Sequence, residues 1–86
     1  MKLKSNFITQ NIGDSQMMVS TGNSEFRGIV KSNNTAAFII DCLKKETSKQ
    51  KIVDLMFQKY DAPVETIEKD VERVLDSLRS IGALEE

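Results

Sequence analysis

The sequence predicts a small α+β domain, a three-stranded antiparallel sheet followed by three helices. Two observations carry this. Three of the four glycines fall within residues 1–33, where they separate short runs of alternating side chains. Residues 34–86 hold the only proline and three stretches of helical period. With 86 residues, 40% hydrophobic and 29% charged, the chain suits one globular domain near the lower size limit for an unaided core. Neither a repeat nor a linker divides it, so residues 1–86 are read as a single domain.

The first strand runs from Phe7 to Ile12, with Phe7, Thr9 and Asn11 on one face and Ile8, Gln10 and Ile12 on the other. Gly13-Asp14-Ser15 supplies a turn, because glycine tolerates positive φ and Asp and Ser bond nearby backbone groups. A second run, Met17 to Ser20, ends in the turn Thr21-Gly22-Asn23-Ser24-Glu25. Phe26 to Lys31 makes the third strand, Phe26, Gly28 and Val30 alternating with Arg27, Ile29 and Lys31. Short strands joined by tight turns form a meander.

Asn33 or Asn34 caps the first helix, whose stripe is Ala36, Ile39, Ile40 and Leu43. Thr47 with Gln50 three residues later is a capping-box pattern for the second. That helix turns Ile52, Val53, Met56, Phe57 and Tyr60 toward a core. Asp61-Ala62-Pro63 breaks it, and Pro63 fits the first turn of a third helix. Ile67, Val71, Val74, Leu75 and Leu78 then repeat as far as Ile81. Gly82 follows as the left-handed cap, with Leu84 available for its hydrophobic contact.

The chemistry is sparse. There is one Cys and no His, which excludes a disulfide framework, the usual zinc sites and all imidazole catalysis. Cys42 has no activating base and reads as a small hydrophobe. Glu65, Glu68, Asp70, Glu72 and Asp76 crowd the third helix, but Lys69, Arg73 and Arg79 are interleaved, the pattern of a solvated face. The methionines read as core fillers, and the glycine turns carry no phosphate-binding fingerprint. No catalytic residue, metal or cofactor is expected, and the chain is not read as an enzyme. No apolar run approaches the ~18 residues that span a bilayer. Lys2 and Lys4 lead into Asn6, Thr9 and Gln10, unlike a signal peptide, so a cytoplasmic protein is expected.

Strands and helices in this order suit a winged helix-turn-helix. The formal net charge is -1, but it is unevenly divided. Residues 44–59 carry five lysines against two acids, a net of +3, and residues 63–81 five acids against three bases, a net of -2. An acidic third helix in the recognition position repels DNA. The alternative reading, a nucleic-acid binder, would use the lysine-rich second helix.

Asn34-Thr-Ala-Ala-Phe-Ile-Ile, then Ile52 and Met56 to Tyr60, then Asp70-Val71 with Leu75 and Leu78 and Gly82-Ala-Leu84, resembles the PqqD-like family. These proteins are the peptide-recognition elements of pathways that modify ribosomally made peptides. The resemblance spans residues 26–84, and departs where Cys42-Leu-Lys-Lys-Glu46 stands in place of a common glycine turn. It implies a non-catalytic peptide chaperone with a winged-helix-like fold. The leader segment of a precursor peptide would join as a strand beside the third strand and lie against the third helix. The chaperone would present it to a modifying enzyme, commonly a radical S-adenosylmethionine protein.

The residues suit that expectation. Phe26, Arg27, Gly28, Ile29, Val30 and Lys31 can offer an unpaired edge, and strand addition draws affinity from such backbone groups. Gly28 either admits a close backbone or marks a bulge. Val74 and Leu78 are expected in the groove floor, with Asp70, Arg73 and Ser77 at one rim. Edge pairing with a second copy, giving a homodimer, is a further candidate use of the strand.

Overall fold

The computed structural model describes residues 1–13, 15–21 and 29–86, the side chain of Ile29 excepted. The elements are β1 (Lys2–Leu3), β2 (Phe7–Ile12), β3 (Ser15–Ser20), β4 (Ile29–Ser32), α1 (Asn34–Cys42), α2 (Lys49–Lys59), α3 (Val64–Ser80) and β5 (Leu84–Glu85). The fold class expected from the sequence, α+β with three antiparallel strands followed by three helices, is the one observed.

The sheet has the order β2-β3-β4, antiparallel throughout. Gly13 turns β2 into β3 with φ +59°, a conformation that costs glycine nothing. Asp14 and residues 22–28 lie outside the described residues, and with them part of each expected turn and the first three residues of the expected third strand. The inner face of the sheet buries Phe7, Gln16, Met18 and Ser32 against the helices. Ile8 and Ile12 fall on the outer face and are exposed.

Asn33 caps α1, its side chain accepting from the Ala36 N–H at 2.9 Å. No glycine is needed where α1 ends, because Leu43 keeps a right-handed backbone (φ -80°, ψ -3°) and its carbonyl accepts from the Leu3 N–H at 2.7 Å. The capping box of α2 is not formed. Ser48 takes the cap, accepting from the Lys51 N–H at 3.3 Å, and Gln50 donates to Asp54 at 2.9 Å instead. Ser48 has the extended backbone a cap requires (φ -132°, ψ 162°).

α2 buries Ile52, Val53 and Met56. Phe57 is 55% exposed, contrary to the expectation that it enters the core, because it lies at the edge of the stripe where α3 does not cover it. α3 starts after Pro63, and Ile67, Val71, Leu75 and Leu78 join Ile39 and Ile40 of α1 and its C-cap Leu43 in one core. Gly82 (φ +72°) closes α3, with Ala83 N–H on the Leu78 carbonyl at 2.9 Å and Gly82 N–H on the Arg79 carbonyl at 3.1 Å. Ala83 and Leu84 are both buried in the core beside this cap. Leu84 pairs with Leu3 in the short β1–β5 ladder, which the sequence reading did not anticipate.

Candidate functional site

β4 lies at an edge of the sheet, paired on one side with β3 from Ile29 to Ser32. In an edge strand, half of the backbone donors and acceptors point away from the sheet. Beyond this edge a groove of about 460 Å³ opens between β4, the first turn of α1 and one flank of α3. Its volume falls in the range of known ligand sites, about 300–1,000 Å³.

Most of the expected site residues converge here. Val30 and Lys31 line one wall, and Asp70, Arg73, Val74, Ser77 and Leu78 line the other. Helical spacing explains the second wall, since residues 70, 73, 74 and 77 form one face beside the core stripe. Ile29 opens β4, while Phe26, Arg27 and Gly28 lie outside the described residues. Leu78 is buried and Val74 half-buried, which makes the floor apolar. Arg73 and Ser77 are exposed at the α3 rim, and Lys31 is exposed at the β4 rim. Asp70 accepts from Arg73 Nη2 at 2.9 Å, so the pair holds the guanidinium near the lip.

The end wall of the groove comes from residues that the sequence pattern did not mark. Ser32, Asn33, Thr35, Ala36 and Ile40 also line the groove. The signal was present in the small side chains after the Asn cap, which leave room between α1 and α3.

No Cys lines the groove, and among the described residues no group of acidic, His or Cys side chains is arranged to hold a metal. Cys42 stands outside it. Burial, reinforced by the negative Asp41 and opposed by Lys59, raises its thiol pKa and disfavours the thiolate. Three of the five α2-region lysines are engaged: Lys44 with Asp41 at 2.9 Å, Lys49 with Glu72 at 2.7 Å, and Lys59 over the Phe38 ring at 4.7 Å. This leaves less free charge for phosphates. Among the described residues, no helix is long and apolar enough to cross a membrane.

The family model described as coenzyme PQQ synthesis protein D (PqqD) matches residues 17–84. The chain belongs to the PqqD family. The match covers β3 from Met17 onward, β4, all three helices and Leu84, and therefore both walls of the groove. Among solved structures, TbiB1 in complex with the TbiA(beta) leader peptide resembles this PqqD-family chain with a TM-score of 0.84. Identity is 20%, over 99% of this chain and 95% of TbiB1, so the likeness is one of fold. A search of curated proteins found no match.

Proposed function

We propose that this PqqD-family protein is a non-catalytic chaperone for the leader segment of a ribosomally made precursor peptide. The leader pairs with β4 as a fourth strand and sets alternate side chains into the groove against α3. The observation that carries this reading is the edge position of β4 facing an apolar-floored groove. The family membership supports it, as does the structural likeness to TbiB1, a protein solved with a leader peptide.

Backbone bonds to β4 supply affinity that depends little on sequence, and the pockets beside Val74 and Leu78 supply selection. A micromolar complex needs roughly -8 kcal/mol, within reach of a short strand with two or three apolar anchors. Lys31 and the Asp70–Arg73 pair, on opposite rims, orient the peptide through charge. The chemistry then belongs to a partner enzyme, for which a radical S-adenosylmethionine protein is the first candidate. The reading places the protein in the cytoplasm, where precursor peptides are made.

The test is a titration of isotope-labelled protein with the leader peptide of a precursor, if one is encoded nearby. Amide NMR signals of residues 29–32 and of the Asp70–Leu78 flank are expected to shift. Saturating peptide that leaves both sets unmoved rejects the site.

A further inference from the structure

A second cavity, of about 410 Å³, lies on the other flank of α1 from the groove. Helical spacing separates the two: Asn33, Ala36 and Ile40 line the groove, whereas Asn34, Phe38 and Asp41 line the cavity. Asn11 and Ser15 beside the β2–β3 turn, with Lys59 and Tyr60 at the end of α2, complete it.

Its one acid is already satisfied. The fully buried Gln16 donates from Nε2 to Asn11 Oδ1 at 3.2 Å and to Asp41 Oδ1 at 3.0 Å, tying one wall to the other. Asp41 also meets Lys44 at 2.9 Å. With Oδ1 so used, Asn11 keeps its Nδ2 donors for a further partner, and the Asn34 amide and Ser15 hydroxyl add more. Lys59 is the one base of the cavity. Its ammonium stands 4.7 Å from the Phe38 ring centre and 5.7 Å from that of Tyr60, and the rings meet edge to face at 6.0 Å. The rings position this charge without cancelling it. Among the described residues Lys59 makes no ion pair, unlike Lys44 and Lys49. A held ammonium with amide and hydroxyl donors around it suits a single carboxylate. A nucleic-acid backbone would need a row of such charges.

The cavity adjoins the groove. Ser32 and Asn33 line the end of the groove and Asn34 the cavity, and adjacent Cα atoms are about 3.8 Å apart. Phe38 stands about one helical turn further on, roughly 6 Å along α1. A strand laid beside β4 as far as Ser32 needs about three more residues, at ~3.3 Å each, to cross the start of α1. We propose that the cavity is a second peptide site, which takes an acidic side chain of the leader from the segment that continues past Ser32. This inference rests on the strand-addition reading above. It adds a rule of selection: the leader carries Asp or Glu within about three residues of its paired strand, at the end beside Asn33.

The experiment has two arms, each run on the wild type, Lys59→Met and Lys59→Arg. Methionine keeps an apolar stem over the rings, and arginine keeps the charge. In the first arm, amide NMR signals are followed at low salt during titration with acetylated, amidated triglutamate or triglutamine. Triglutamate is expected to shift Asn34, Phe38 and Tyr60 in the wild type and Lys59→Arg. It is expected to bind Lys59→Met roughly three- to fivefold more weakly, the worth of one exposed ion pair. Triglutamine is expected to bind all three proteins equally weakly.

In the second arm, the leader is lengthened at each end in turn by Glu-Glu or by Lys-Lys. At one end only, the glutamate form is expected to bind the wild type roughly three- to fivefold more tightly than the lysine form. Lys59→Met is expected to abolish that preference, and Lys31→Met, in the groove rim, to keep it. A preference that survives Lys59→Met and disappears in Lys31→Met overturns the inference, by assigning the acid to the groove. Equal binding of both forms at both ends overturns it too, as does triglutamate that leaves the cavity signals unmoved. An unextended leader that leaves residues 29–32 unmoved defeats the strand-addition reading itself, while the tripeptide arm still reports on the cavity.

Discussion

Gln16 of β3 and Asp41 of α1 are joined across the interface of sheet and helix, Nε2 donating to Oδ1 at 3.0 Å. The same amide reaches Asn11 Oδ1 at 3.2 Å, while its own Oε1 is buried without a partner among the described residues. A buried acceptor left unpaired costs about 1–3 kcal/mol. Gln16→Met removes that acceptor at similar volume, and the exposed Asn11 and Asp41 turn to water. Its stability in urea denaturation is expected to equal the wild type or exceed it by up to about 1 kcal/mol. Gln16→Glu buries a carboxylate beside Asp41 and is expected to cost about 3 kcal/mol or more at pH 7. That loss shrinks as pH falls, because the introduced carboxyl takes up a proton.

Leu75 and Phe57 test where the core ends. Leu75 is fully buried on α3, and Leu75→Ala is expected to cost about 3–4 kcal/mol. Phe57→Ala, at a side chain that is 55% exposed, is expected to cost less than about 1 kcal/mol. Thermal unfolding of the two variants side by side distinguishes them, and equal losses would place Phe57 inside the core.

The ion pair between Lys49 of α2 and Glu72 of α3 predicts a pH dependence. The hydrogen bond from Lys49 is the main cause that lowers the carboxyl pKa of Glu72, with Arg79 adding its charge. A carboxylate lowered by folding stabilises the native state above its ordinary value of 4.5, and the contribution is lost as pH falls through the folded value. The stability difference between wild type and Glu72→Gln is therefore expected above pH 4.5 and to vanish on further acidification. Both side chains are well exposed, so raising salt from about 0.1 to 1 M should also reduce it.

Val74 offers a test of the groove that spares the core. It is half-buried, while Val71 and Leu75 beside it are fully buried. Val74→Ala removes two methyl groups from the floor, worth about 1 kcal/mol of apolar contact, or roughly fivefold in affinity. Calorimetric titration with leader peptide is expected to show that loss with the same stoichiometry. Unchanged affinity would remove Val74 from the contact.

Much of this was legible before the fold was known. The stripe Ile67, Val71, Leu75 and Leu78 marked the buried face of α3, and the residues beside it, Asp70, Arg73, Val74 and Ser77, followed as its groove-facing flank. Phe57 was misread because hydrophobic spacing locates the centre of a stripe more securely than its margin, and the margin depends on the neighbouring helix. The cap of α2 was misplaced because Thr47 and Ser48 carry the same chemistry in adjacent positions.

Local chemistry in the sequence determined the order of the three sheet strands and three helices, the turn and cap at Gly13 and Gly82, and the absence of imidazole catalysis. These depend on near neighbours in the chain, which a sequence displays directly. Only the tertiary structure decided that β4 is an edge, that α1 closes the groove, and that Leu3 pairs with Leu84. Each of these joins residues far apart in sequence, and their meeting is set by how the helices pack over one face of the sheet. The same packing leaves Ile8 and Ile12 on the other face, where no helix covers them.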